Sequence, residues 1–351
     1  MSAEHVAGRR ALWALVAFGL ASVSSMAQQV GEPMPDVLIL TTGGTIASRT
    51  DARLVDGNTL VGAVPEVLEY ADVRVEEFSV IGSSRMTPAH WLALARTINQ
   101  AFAADSGLAG IVITHGTDTM EETAYFLNLT VKSDRPVVLV GSMRSSNEVS
   151  ADGSANLINA VRVATDEQAV GQGVLVVLNE DITAARDVRK TDNRRVQTFG
   201  GGNAGHIGSV DPDGVRFNHQ PRHPHTTSTE FDVSDLDALP EVLILSDFTG
   251  ISPTVVETFG ALEMDGLVIR TFAGGRMSEG MLGGLESIAG QDLPMVVTSR
   301  VPNGRIVGPP AYGFPAVVAN GQQDSKARIL LMLALSKTTE PDQIQRIFDT
   351  Y

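Results

Sequence analysis

Short apolar runs rich in valine, isoleucine and leucine recur at 37–40, 110–113, 136–140 and 173–178, and strand-like runs resume at 242–245, 267–271 and 294–298. None shows the strict alternation of a strand with one wet face. A strand that is apolar along its length must be covered on both sides, which is the condition of a parallel sheet flanked by helices. The fold class is therefore α/β. Residues 88–102 place Trp91, Leu92, Leu94, Ala95, Ile98 and Phe102 on one helical stripe. The segments 119–129 and 154–164 also read as helices, and the chain closes with one over about 325–335 and another after Pro341.

The runs fall into two groups. Between them, residues 219–241 carry Pro221, Pro224 and Pro240 and no apolar run, and read as a linker. The expected division is a large N-terminal domain over 36–218, the linker, and a smaller C-terminal α/β domain over 242–351. Ahead of them, Arg9 and Arg10 precede an apolar run at 11–20, and Ser25-Met26-Ala27 offers a cleavage site. That is the pattern of a signal peptide over 1–27; the alternative, a membrane span, would need a longer run. The mature chain is expected outside the cytoplasm and free of the membrane.

With 41 acidic against 26 basic side chains the formal charge is −15, and the leader removes arginines, leaving the rest more acidic still. A surface of that sign disfavours nucleic acid as a partner. Cysteine is absent, which excludes disulfides and thiol nucleophiles.

In open parallel sheets the ligand crevice lies outside the carboxyl ends of the strands. Two loops in such positions carry hydroxyls. Thr41-Thr42-Gly43-Gly44-Thr45-Ile46-Ala47 follows the first run, and its paired glycines allow a close backbone approach to a ligand. It reads equally as a threonine-capped turn or a dinucleotide phosphate loop. His115-Gly116-Thr117-Asp118-Thr119-Met120-Glu121-Glu122 follows the second run. Thr119 and Glu122 fit a capping box that would start a helix with Thr117 and Asp118 at its positive end. Asp118 is either functional or a helix cap.

These loops, with Gly141-Ser142-Met143-Arg144, Ser150-Ala151-Asp152-Gly153 and the Arg186 to Thr191 stretch, resemble the bacterial type II L-asparaginases, the periplasmic asparaginase/glutaminase family. The resemblance runs from about Asp36 to Tyr351 and includes Tyr312-Gly313-Phe314. It implies a flavodoxin-like, Rossmann-like N-terminal sheet with a smaller C-terminal domain. It further implies a homotetramer of tight dimers with active sites shared between subunits, a small amino-acid amide as substrate, and no cofactor or metal. Thr45 matches the nucleophile. Thr117, Asp118 and Lys190 match a second catalytic group, in which lysine activates a hydroxyl that is otherwise a weak nucleophile. Backbone N–H groups near Thr117 would hold the oxyanion. Gly44, Ser83, Ser84, Gly116, Ser142 and Arg276 fall at substrate-contacting positions; Ser83 would bind the α-carboxylate and Asp118 the α-ammonium.

The chain departs from the family at several of these places. The segment 48–60 holds no tyrosine where relatives supply one to the nucleophile, and 304–311 holds no glutamate ahead of Tyr312. Ser84 and Arg276 stand where relatives carry an amide or acid and an asparagine. Two weaker signals remain. Gly200 to Gly205 fits G-x-G-x-x-G but opens no helix and reads as a flexible loop, and His219, His223 and His225 allow a zinc reading without carboxylate support. Beside amide hydrolysis, a non-catalytic amino-acid binder and a dinucleotide oxidoreductase stay open on the residues alone.

Overall fold

The computed structural model describes residues 33–44 and 57–351, apart from the Gln291 side chain. The leader expected over 1–27, Thr45 and the remainder of its loop lie outside the described residues. Residues 35–351 form one compact unit, and its two lobes are each built on a sheet.

The larger sheet contains β1 (Asp36–Thr41), β2 (Asp72–Glu77), β3 (Leu108–Thr114), β4 (Val137–Val140), β5 (Val174–Leu178), β6 (Asp181–Ala184), β9 (Gly208–Asp211) and β10 (Gly214–Phe217). Between β6 and β9 lies a separate ribbon, β7 (Arg189–Lys190) with β8 (Phe199–Gly200). The strand order is β10-β9-β6-β5-β4-β3-β1-β2. The β2-β1-β3-β4-β5 part is parallel throughout, and β6, β9 and β10 extend it antiparallel. In this flavodoxin-like order the chain reverses its direction of travel between β1 and β3, so their carboxyl ends open the crevice where ligands bind.

Helices cover both faces, as the uninterrupted apolar strands require. On one face lie α2 (Pro88–Ala104) and α3 (Met120–Thr130), packed on Leu38, Leu40, Ile111 and Ile113. On the other lie α1 (Gly57–Gly62) and α4 (Gly153–Thr165), packed on Val37, Ile39, Val112 and Val138. The stripe expected on α2 is the one buried, and Thr87 caps it reciprocally with His90 ahead of Pro88.

The smaller sheet is parallel, in the order β11-β12-β13-β14, with β11 at Val242–Ser246, β12 at Gly266–Thr271, β13 at Met295–Ser299 and β14 at Val317–Val318. Helices α5 (Pro253–Gly260) and α6 (Glu279–Ile288) cover its outer face. α7 (Asp324–Leu335) and α8 (Pro341–Thr350) cover the inner one, where α7 joins α3 in a core common to both lobes.

Residues 219–241 contain no strand and only the 3-10 turn Thr226–Ser228, but they are not a free tether. Phe231 and Val233 are buried in the shared core, Thr229 donates to the Leu129 carbonyl at 2.6 Å, and Lys132 Nζ donates to Thr229 O at 3.0 Å.

Candidate active site

The crevice is assembled by backbone contact between loops. Thr42 donates both its N–H and its hydroxyl to Thr114 O, at 3.1 and 2.8 Å, tying the ends of β1 and β3 together. Gly44 has φ 89°, and a Cβ there would stand 2.3 Å from Gly116 N. A Cβ on Gly116 would stand 2.6 Å from Ser83 Oγ. No other residue permits these approaches, so the two glycines bring the ends of β1 and β3 and the turn Ser83–Arg85 against one another.

Over this floor Lys190 extends from β7. Its ammonium donates to Thr117 Oγ1 at 2.9 Å and to Asp118 Oδ1 at 2.8 Å. Its backbone N–H is held at 2.5 Å by Glu121 Oε2, from the first turn of α3. Thr117 is buried, and the Lys190 side chain is 19% exposed against 64% for Asp118. The ammonium therefore shields one oxygen while the carboxylate keeps its outer face open to a cationic ligand group.

Ser83 is buried, and its Oγ accepts from Asp118 N at 3.1 Å. Its carbonyl takes the Thr119 hydroxyl at 2.9 Å. That contact corrects the expected capping box. Thr119 does stand at the N-cap of α3, but its hydroxyl points to Ser83 and makes no cap bond. Glu122 is largely buried and its pKa is pushed up by that burial. A long-range partner outcompeted the local one.

Beneath Thr117 lies a chain of directional hydrogen bonds. Trp91 Nε1 donates to Thr123 Oγ1 at 3.0 Å, and Thr123 Oγ1 meets His115 Nε2 at 3.0 Å. His115 Nδ1 meets Gly116 O at 2.7 Å. A carbonyl can only accept, so Nδ1 carries the ring proton and Nε2 accepts from Thr123. The Gly116–Thr117 peptide is trans, and its N–H therefore points away from the carbonyl that His115 holds. The N–H groups of Gly116 and Thr117 donate to no described residue. Uncommitted among the described residues and set in a buried crevice, these donors suit an oxygen that gains negative charge.

Burial lowers the His115 pKa from 6.5 to about 4. Between those values the unfolded chain binds a proton that the native chain refuses, so stability falls as pH drops, by up to about 3 kcal/mol from this group. In His115→Gln, that part of the acid-side loss in thermal stability is expected to vanish; a melting profile against pH with an unchanged slope would count against it.

Profiles of whole protein families match across nearly all of the described fold. "Asparaginase, N-terminal" matches residues 36–223, and "Glutaminase/Asparaginase C-terminal domain" matches 241–348. The chain belongs to the asparaginase family. It is 41% identical to L-asparaginase 2 of Bacillus subtilis, over 94% of this chain and 90% of that protein. It is likewise 41% identical to L-asparaginase 2 of Escherichia coli, over 91% and 94%. The crystal structure of a probable cytoplasmic L-asparaginase from Campylobacter jejuni superposes with a TM-score of 0.85 at 39% identity, covering 90% of this chain and 99% of that one.

The remaining positions implied by the asparaginase resemblance differ in placement. Ser142 is fully buried and its hydroxyl donates to Arg144 O at 2.8 Å, leaving only its lone pairs uncommitted. The Asp152 carboxylate accepts from Met143 N and Arg144 N, so it shapes this loop. Ser84 is exposed. Arg276 follows the 3-10 turn Ala273–Gly275 after β12, is exposed, and forms no ion pair with a described residue; within one chain it is not joined to Thr117, Asp118 or Lys190.

Gly201 to Gly205 form a turn in which Gly205 N donates to Gly201 O. A Cβ on Gly201 would fall 1.8 Å from Gly205 O, so the turn requires glycine there. Among the described residues no cluster of histidine and acid side chains could hold a metal; His223 and His225 bond to Thr350 O and to the Thr226–Ser228 turn. Sequence reading missed Glu121 and the Trp91–Thr123–His115 chain, because each acts across the tertiary fold and leaves no local pattern.

Proposed function

We propose that this protein is a type II asparaginase that hydrolyses L-asparagine, and L-glutamine as a second substrate, to the acid and ammonia. The single observation that carries the reading is the Lys190 ammonium bridging Thr117 Oγ1 and Asp118 Oδ1 at the mouth of the β1/β3 crevice. The names of the relatives agree, including a glutaminase-asparaginase of Pseudomonas fluorescens that is 36% identical over 91% of each chain.

In the proposed reaction the substrate's α-ammonium sits on the open face of Asp118 and its α-carboxylate on Ser83 and Arg276, the arginine gripping it bidentately. Gly44, Gly116, Ser84 and Ser142 line the side-chain end. The Thr45 hydroxyl attacks the amide carbon and the N–H donors at Gly116 and Thr117 receive the oxyanion. The C–N bond then breaks, ammonia leaves with the proton that the threonine gave up, and an acyl-threonine ester remains. Water cleaves that ester and restores the hydroxyl. Lys190, through Thr117, manages the proton that both halves require.

The expected division into domains 36–218 and 242–351 joined by 219–241 belongs to this reading, as does removal of residues 1–27 on export to the periplasm. The charged and apolar leader pattern supports export; a 42% identical relative from Haemophilus influenzae is named periplasmic. Among the described residues no helix is long and apolar enough to cross a membrane. A homotetramer of tight dimers would bring Arg276 to a neighbouring subunit's crevice, and exposed Val149, Phe248, Val301 and Val307 offer apolar surface for assembly.

Ammonia release from asparagine and glutamine by the purified chain tests the reading. Turnover is expected with both amides, and calorimetric binding of asparagine without release above a Thr117→Ala control would overturn it.

A further inference from the structure

Lys326 lies in the first turn of α7, in the smaller lobe, yet its side chain ends inside the larger one. It is fully buried, and its Nζ donates to Ala185 O at 2.9 Å, Arg186 O at 2.8 Å and Val188 O at 2.5 Å. An ammonium has three N–H groups, and these three carbonyls accept all of them. The Tyr125 ring of α3 closes the cage, its centroid 5.7 Å from Nζ.

The caged carbonyls belong to the segment between β6 and β7, which leads directly into Lys190. Other restraints act on it too: Ala185 N–H donates to Val174 O, Asp187 and Val188 N–H to Ala184 O, Arg186 is tied to Tyr351 O and Asn320 O, Glu121 holds the Lys190 N–H, and β7 pairs with β8. Among the described residues, Lys326 is the one group that gathers three carbonyls of this segment at a single point. β7 itself is two residues long. A buried cation is costly unless acceptors surround it, and the three carbonyls in turn lose their donor if the lysine is removed.

We propose that Lys326 is a positioning residue: its ammonium, caged by the carbonyls of Ala185, Arg186 and Val188, sets where β7 runs and so keeps Lys190 on Thr117 and Asp118. This inference rests on the reading of Lys190 as part of the catalytic group. Its consequence is a dependence on proton state. Burial lowers the Lys326 pKa from 10.5 to about 7, against the pull of Glu121 and Asp187 and with the help of Arg189 and Arg186. His223 and Gln322 face the same cavity, of about 250 Å³. The neutral amine keeps two donors, so one carbonyl faces a lone pair and the cage loosens. Turnover by a cage-dependent enzyme therefore falls as pH rises through the Lys326 pKa.

The experiment compares full-length wild type, Lys326→Met and Lys326→Arg for ammonia release from asparagine, with kcat and KM measured from mildly acidic to alkaline pH. A displaced Lys190 lowers kcat by roughly tenfold to a hundredfold, with KM changed by no more than about twofold because Ser83 and Asp118 stay in place. Lys326→Met is expected to show that split and to lose the alkaline fall that begins near neutrality. Lys326→Arg, which cannot lose its proton in this range, is expected to restore part of kcat and to hold it at alkaline pH. Wild-type kcat and pH profile in Lys326→Met would overturn the inference. Should that variant fail to fold, an unchanged alkaline fall in Lys326→Arg would overturn it. Wild-type turnover in the same assay tests the functional reading separately, so an unaffected variant beside an active wild type refutes the positioning role alone.

Discussion

Thr117→Ala is expected to lower kcat/KM for asparagine by about 10³- to 10⁴-fold, at least as far as Thr45→Ala does. The Thr117 hydroxyl is buried and is the partner through which Lys190 reaches the crevice floor, at 2.9 Å. Removing it leaves the ammonium held by Asp118 alone, at the exposed side. Groups that act as one proton-handling unit each cost nearly the whole of that unit when removed, and general acid–base catalysis supplies about 10²- to 10⁴-fold. For Thr45, by contrast, the resemblance implies a partner tyrosine from the segment 48–60, and that segment contains none. KM should rise by no more than a few-fold, because the proposed α-ammonium and α-carboxylate contacts are left in place. Steady-state ammonia release for both variants, with melting curves to show that each is folded, decides the matter. A Thr117→Ala enzyme that keeps a tenth of wild-type turnover while Thr45→Ala is silent would sink the idea.

The sheet was legible where burial leaves a mark on sequence. β1, β3, β4, β5, β11, β12 and β13 each lie within two residues of a run dominated by apolar residues, because the middle of a strand covered on both faces excludes polar side chains; Arg270, Thr271 and Thr298 fall near the carboxyl ends. β2 escaped notice. It is an edge strand, and its Asp-Val-Arg-Val-Glu-Glu sequence buries no residue fully. The antiparallel strands β6, β9 and β10 are four residues each and carry glycine and aspartate, too little pattern to separate from a turn.

The site was legible only in part, and for a geometric reason. Glycine pairs at strand ends announce a close backbone approach, and Gly44 and Gly116 make one. Nothing local joins Asp118 to Lys190, 72 residues apart; the resemblance supplied that pairing. Thr119 shows the limit of local rules: its spacing from Glu122 satisfied the capping pattern, and the Ser83 carbonyl claimed the hydroxyl instead. Lys326 did leave one trace, a lysine opening the otherwise apolar face of α7. A charge in that place implies a cage of acceptors, but only the fold identifies them.

Lys190→Met is expected to lower kcat by about 10³-fold, and the Thr117→Ala/Lys190→Met double variant to fall no more than a few-fold further. If Lys190 acts on the reaction through the Thr117 hydroxyl, removing either breaks the same path, and the second loss has little left to remove. Independent roles would instead multiply, taking the double variant toward about 10⁶-fold. Folding does not confound the comparison. Asp118 loses its ion pair in Lys190→Met, but with 64% of its side chain exposed it remains hydrated, and exposed pairs contribute about 0–1 kcal/mol. The methionine stem keeps most of the lysine's packing. Single-turnover rates for the four proteins, measured at saturating asparagine, give the coupling directly. A multiplicative double variant would show that Lys190 and Thr117 serve different steps, and would move the proton-handling role from the pair to whichever single loss alters the pH dependence of the rate.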